Sequence, residues 1–445
     1  MQCALGLMVA AAMAAPLAAA EMLVYHEIQT GADGQIVPWF SPDPARAYDH
    51  NIRLLWQFWR TMKPCPNGVP YYMQHQVWKP EHDGRGLGGD QINMALSSWT
   101  LLYGYLGDEA VKANMIFMAD YWLEHGMSPA DAKWANLPYP YNTDLHAGQY
   151  DGDMRAGKGY LQPDKAASFG AELVHLHKMT GQGKYLDAAV RIANTLAANI
   201  TPGDQNNSPW PFRVHAVTNQ IHEQTKQGKV FRASYTANWT GALCLFDELI
   251  ALKQGKVDEY ALARDVLVRW IKSYPLKTNN WGPFFEDIPT ADVSNTETNA
   301  DTMAMYILEH PQWDAQGLQQ AKGILDWSLK NFANPKWQPF GVTPINEQTV
   351  YKVPGNSHTS RHASVELLYC EKSGELSPKV DAIARLNWAT YMVDADGKNR
   401  YYNDDIWLTD GYGDYIRHYL RAMASFPELA PADQNHLLQS SSIIQ

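Results

Sequence analysis

The chain has 445 residues, a formal net charge of −11 and only four cysteines. That acidic balance argues against a nucleic-acid partner, which needs a basic footprint, and no CxxC or Cys/His spacing points to a structural metal. With 16 Trp and 24 Tyr, there is aromatic surface both for a core and for stacking on apolar ring faces.

Residues 1–20, "MQCALGLMVAAAMAAPLAAA", form an Ala-rich apolar run ending in small residues. This is the pattern of a secretory signal cleaved near Ala20, and it predicts a periplasmic or secreted protein. Cleavage removes Cys3 and leaves Cys65, Cys244 and Cys370, an odd set that cannot all pair; Cys244 and Cys370 fall in apolar helical runs and read as core residues. No later run reaches the ~18 apolar residues a bilayer span needs, so no membrane insertion is expected.

Apolar residues then recur at helical spacing along the whole chain. The pattern predicts helices over 44–62, 88–106, 108–125, 163–180, 184–200, 235–253, 257–273, 296–309, 314–332, 358–373, 378–393 and 410–425. Tyr71–Trp78 and Gln348–Val353 read as small hairpin pieces. Short turns such as "GYLGDEA", "MTGQGKY" and "EKSGELS" alternate with long connections over 63–87, 126–162, 201–234, 274–295, 333–357 and 394–409. Helices entered from long connections are apolar on most sides, for example "NWTGALCLFDELIAL", and belong inside. Their partners, such as "KYLDAAVRIANTLAANI", are amphipathic and belong outside. Six such hairpins predict an all-α fold, an (α/α)6 toroid of inner and outer rings over residues 21–430, with a tail over 431–445. Two separate helical subdomains are the alternative.

Every inner helix then starts from one face, and helix N-termini leave N–H groups that favour anions. The segments leading into them are rich in chemistry: "YNTDLHAGQYDGDMRAGKGYLQPDK", "KVFRASYTANW", "DVSNTETNAD", "GNSHTSRH" and "NRYYNDDIWLTDGYGDY". Asp90, Ser294 or Asn295, and Thr409 or Asp410 are expected N-caps. His358 and His362 lie at i,i+4, a spacing that suits zinc, but the glutamate of HExxH is missing, so neither metal nor cofactor is expected.

The hairpin alternation, the leader and the His/Arg/Tyr/Asn-rich helix starts resemble the (α/α)-toroid carbohydrate-active enzymes. Within them they are most similar to uronate-polysaccharide lyases of the alginate and glucuronan type, whose Asn/His pairing Asn356–His358 resembles. The resemblance implies β-elimination on an acidic polysaccharide or oligosaccharide by a monomer. That reaction needs the uronate carboxylate neutralised, a base for the C5 proton and an acid for the leaving oxygen. The expected catalytic set is Tyr235 at the glycosidic oxygen, His358 as base or orienting group, Arg232 and Asn238 facing the carboxylate, Arg361, and Tyr412. Lys165, His146, Trp239, His362, Asn299 and Trp407 are expected to bind substrate, and Lys165, Arg232 and Arg361 to share one basic cleft. Two other chemistries suit the same fold. A glycoside hydrolase would use two carboxylates from Asp144, Asp151, Asp153, Glu297, Asp301, Asp410 and Asp414, and a sugar epimerase would use two histidines as acid and base.

Overall fold

Caps and prolines set the helix starts close to where the periodicity predicts them. Asp43 accepts from the Ala45 N–H with Pro44 in the first turn, and Asp108 accepts from the Ala110 N–H. Thr296, rather than Ser294 or Asn295, caps its helix through the Thr298 N–H. Gly181 and Gly374 close two helices in the left-handed conformation, at φ 69° and 77°, which suits a residue without Cβ.

The computed structural model describes residues 22–73, 89–144, 147–226, 228–284, 295–399, 409–432 and 434. Among them are thirteen α-helices. The outer helices are α1 (Pro44–Arg60), α3 (Glu109–His125), α5 (Gly183–Asn199), α7 (Val257–Ser273), α10 (Gly317–Phe332) and α12 (Lys379–Thr390), and α8 (Pro275–Thr278) is a single turn. The inner helices are α2 (Gly89–Leu106), α4 (Pro163–Thr180), α6 (Thr240–Ala251), α9 (Glu297–Glu309), α11 (Asn356–Ser373) and α13 (Thr409–Ser425). Inner helices pack in chain order, α2 on α4, α4 on α6, α6 on α9, α9 on α11 and α11 on α13, and α13 returns to α2. Each also packs on its outer partner. The fold is therefore the closed (α/α)6 toroid. Sheet structure is limited to four two-stranded antiparallel ribbons among the described residues.

Two local expectations are corrected. Residues 235–239 are not helical, and α6 begins at Thr240. Thr236 Oγ1 donates to the Pro283 carbonyl at 2.7 Å and accepts from the Asn238 N–H at 3.2 Å. Such side-chain bonds compete with a helical start. Tyr71–Met73 is a 3-10 turn. The Gln348–Val353 piece does fold back as expected, with Asn346 bridged antiparallel to Pro354 and the Glu347 N–H donating to the Val353 carbonyl at 2.9 Å, while Gln348 also bridges Thr296. The tryptophans mostly serve the core, since nine of them are fully buried. No described helix is long and apolar enough to cross a membrane. The expected signal segment, and nearly all of the 431–445 tail, lie outside the described residues.

Candidate active site

The first turns of α9 and α11 bring together two matched pairs. Glu297 and Asp301 sit four apart on α9, and His358 and His362 sit four apart on α11. Each pair lies on one side of its helix. His358 Nδ1 is hydrogen-bonded to the Glu297 carboxylate, and His362 Nδ1 lies 2.7 Å from Asp301 Oδ2. All four side chains are buried.

Arg361, between the two histidines, ties three inner helices. Its Nη1 donates to both Glu297 oxygens at 3.1 and 3.3 Å and to Thr298 Oγ1 at 2.9 Å, and its Nη2 donates to Asp414 on α13. Asp414 also accepts from Arg417 Nε at 2.5 Å and lies 3.0 Å from His418 Nε2. Burial works to raise the Glu297 carboxyl, but Arg361 and His358 outweigh it and hold it below its usual range. Burial, reinforced by Arg417 and Arg361, pushes His418 well down, so it is neutral. His362 goes the other way. Burial opposes its charge, yet Glu366 (3.3 Å) and Asp301 lift it to about 10. Glu366 in turn takes Arg385 of the outer ring at 2.5 Å.

A second group lies at the starts of α4 and α6. Asp164 Oδ2 accepts from Asn238 Nδ2 at 2.8 Å and from Lys165 Nζ at 3.2 Å. Lys165 Nζ also donates to the Phe284 carbonyl at 2.9 Å and sits 3.5 Å from the centroid of its ring. Asn299 Nδ2 donates to the carbonyls of Trp281 and Pro283 at 2.9 and 3.2 Å. Asp164 Oδ1, Asn93 Oδ1, Asn299 Oδ1 and Arg361 Nε are buried with no hydrogen-bond partner among the described residues. Such atoms ask for an explanation, and a ligand site is one.

The expected site residues separate accordingly. His358, Arg361, Asn238, Lys165, Asn299 and His362 belong to these two groups. Arg232 does not share a cleft with Lys165 and Arg361; it stands on an exposed hairpin, Glu223–Lys226 with Lys229–Arg232, where its Nε pairs with Glu223 at 3.5 Å. The Tyr235 hydroxyl donates to the Asn280 carbonyl at 2.5 Å, and burial pushes its pKa up. Trp239 is a core residue whose Nε1 donates to the Thr236 carbonyl at 2.6 Å and whose ring packs on Trp210. Tyr412 falls in the first turn of α13, with its side chain outside the described set, and His146 and Trp407 lie outside the described residues. Asp164, Glu366 and His418 were missed by the site reading. Glu297, Asp301 and Asp414 were noticed only as hydrolase carboxylates. The matched i,i+4 ladders were the available signal. No cluster of three or more metal-ligating side chains is present among the described residues.

No protein-family model matches the chain, and no curated relative does. Solved structures do. Cellobiose 2-epimerase from Spirochaeta thermophila DSM 6192 aligns with a TM-score of 0.63 at 12% identity, over 87% of this chain and 98% of that one. A family 76 glycoside hydrolase from a bovine Bacteroides thetaiotaomicron strain aligns at 0.55 and 10%, over 86% and 78%. An unsaturated glucuronyl hydrolase specific for heparin aligns at 0.52 and 9%, over 87% and 99%. These structural neighbours are carbohydrate-active enzymes, and what the likeness shows for this chain is the toroid they share.

Proposed function

We propose that this chain is a sugar-processing enzyme that moves a proton at a sugar carbon, an epimerase or isomerase reaction, with His358 as the proton-transfer group. The observation that carries the reading is the buried Glu297–His358 pair beside Arg361 at the inner-helix starts. A carboxylate on Nδ1 holds the proton there and makes Nε2 the basic nitrogen, the orienting arrangement that general-base histidines use. Arg361 is committed through Nη1 and Nη2 to Glu297, Thr298 and Asp414, and its Nε, buried with no partner among the described residues, is the donor left for an enediolate oxygen that gains negative charge. Hydrolysis is less well supported. It needs one carboxylic acid and one carboxylate on either side of the bond; burial pushes the Asp301 carboxyl up, but Asp301 is bound to His362, and Glu297 and Asp414 are each bound to Arg361. Uronate β-elimination, the first expectation, shares the proton abstraction. However, Lys165 and Arg417 already face Asp164 and Asp414, so neither is uncommitted for a substrate carboxylate. The neighbour with the higher TM-score among those above, an epimerase, agrees with this order.

The test is solvent exchange. The protein is incubated in D2O with neutral aldoses, disaccharides and uronate oligosaccharides, and recovered sugars are read by NMR and mass spectrometry. Deuterium at a carbon of a neutral sugar, reduced about 10²–10⁴-fold in His358→Asn with its circular dichroism intact, is the expected result. Bond cleavage without carbon-bound deuterium would overturn the reading in favour of hydrolysis. An unsaturated, ultraviolet-absorbing product would overturn it in favour of elimination.

A further inference from the structure

The ring is not filled along its axis. A cavity of about 1190 Å³ runs from Asn93, Lys165, Asn238 and Phe284 at the starts of the inner helices to Ala251 and Ser425 at their ends. Along α4 alone it is lined from Lys165 to Lys178, thirteen residues of rise or about 20 Å. Ser168, Gly241, Cys244, Thr302 and Ser364, from four different inner helices, keep it open. Gly241 is required at its position, because a Cβ there would come within 2.7 and 2.8 Å of the Ser168 backbone.

The lower wall is charged, and its charges come in opposite pairs. Lys178 Nζ lies 2.6 Å from Glu248, Arg421 Nη1 lies 3.1 Å from Glu309, and His175 sits between Glu172 at 3.2 Å and Glu248 at 3.7 Å. No sign dominates, so the wall has no preference for a polyanion. It offers donors and acceptors side by side, the match for hydroxyl groups that each donate and accept. The volume exceeds the ~300–1,000 Å³ of ordinary small-ligand pockets, leaving room for more than one sugar ring. Phe284 lines the upper end, with Lys165 Nζ 3.5 Å from its ring centroid.

We propose that this axial shaft is a subsite tract for a neutral oligosaccharide, entered at the short-turn face, with the leading sugar at Lys165 and Asn238. The proposal goes beyond the proton-transfer reading, whose His358 and Arg361 do not line the cavity, and takes from it only the identity of the ligand as a sugar. It assigns the side of the ring opposite the long connections as a mouth, and it makes substrates longer than one unit the preferred ones.

Cys244 gives a built-in reporter, a slow one because burial pushes its thiol pKa up, so labelling is followed over hours at alkaline pH with excess reagent. It lies half-buried on the shaft wall, while Cys65 and Cys370 are buried in the core. Its alkylation by a small maleimide is followed by peptide mass mapping. Neutral gluco- and manno-oligosaccharides of increasing length, and a uronate oligomer, serve as competitors. A trisaccharide or longer neutral chain at ten times its Kd should slow Cys244 labelling about tenfold, and monosaccharides by much less. Ala251→Trp, at the exposed mouth, should remove the length dependence. Ala424→Trp, on the same wall, repeats the obstruction in case the first variant misfolds. Equal protection at every length, no protection at all, or unchanged protection in both folded Trp variants would overturn the shaft. Stronger protection by the uronate oligomer would overturn its neutral preference. Protection needs no turnover, so a failure of carbon-bound exchange with protection intact rejects only the reaction class.

Discussion

Arg361 is 1% exposed and reaches carboxylates on two neighbouring inner helices. Removing one partner of a buried ion pair leaves the other charge uncompensated, at a cost of about 3–5 kcal/mol. Arg361→Ala should therefore lose that much stability in urea titration. A variant that melts like the parent but turns over slowly would show that the residue serves chemistry alone. His362 predicts a pH dependence. Its pKa rises from 6.5 to about 10 on folding, so the fold favours the protonated form. The contribution is complete below 6.5 and is lost as pH climbs through about 10. Thermal melts across this range should show falling stability, with a shallower slope in His362→Gln. Equal slopes would show that the Asp301–His362–Glu366 sandwich does not supply it. The residue types at the inner-helix starts were legible in "GNSHTSRH" and "NTETNAD". Their pairing was not, because His358 and Glu297 are 61 residues apart in sequence and meet only when α9 and α11 lie side by side.

Helices repeat the lesson at the next scale. Periodicity placed the long amphipathic helices within a few residues, since apolar spacing is a property of one segment. It failed at 235–239, where Thr236 and Asn238 spend their side chains on neighbouring backbone and on Asp164. Arg232 went with that error, because the short exposed hairpin carrying it has no alternation long enough to read. Glycine is the other element-scale determinant, and two glycines contrast. Gly241→Ala forces α6 away from α4 at Ser168 and should cost about 1–3 kcal/mol. Gly323→Ala, in outer helix α10 with nothing within 4 Å of the added Cβ, should stabilise by about 0.4–1 kcal/mol through helix propensity and chain entropy. Denaturant midpoints of the two variants should move in opposite directions, and a shift in the same direction would reject the close α4–α6 approach as the reason for Gly241.

For the whole molecule, the strict alternation of short and long connections carried the toroid, because a closed ring is the arrangement that buries six apolar helices while keeping all long loops together. What the alternation could not show was the axis. Whether inner helices meet in the middle depends on side-chain volumes facing one another across the ring, and those are set by register. The closure itself has a temporal consequence. α13, made last, is the wall between α11 and α2, and α2 was made some 300 residues earlier. Until α13 has left the ribosome the nascent chain is an open arc, with the apolar flanks of α2 and α11 both uncovered. Its decisive contact is also a distant one in sequence, which slows folding. Synthesis therefore passes through a long interval in which the two uncovered flanks can meet those of a neighbouring chain, and the hazard ends with one late docking step.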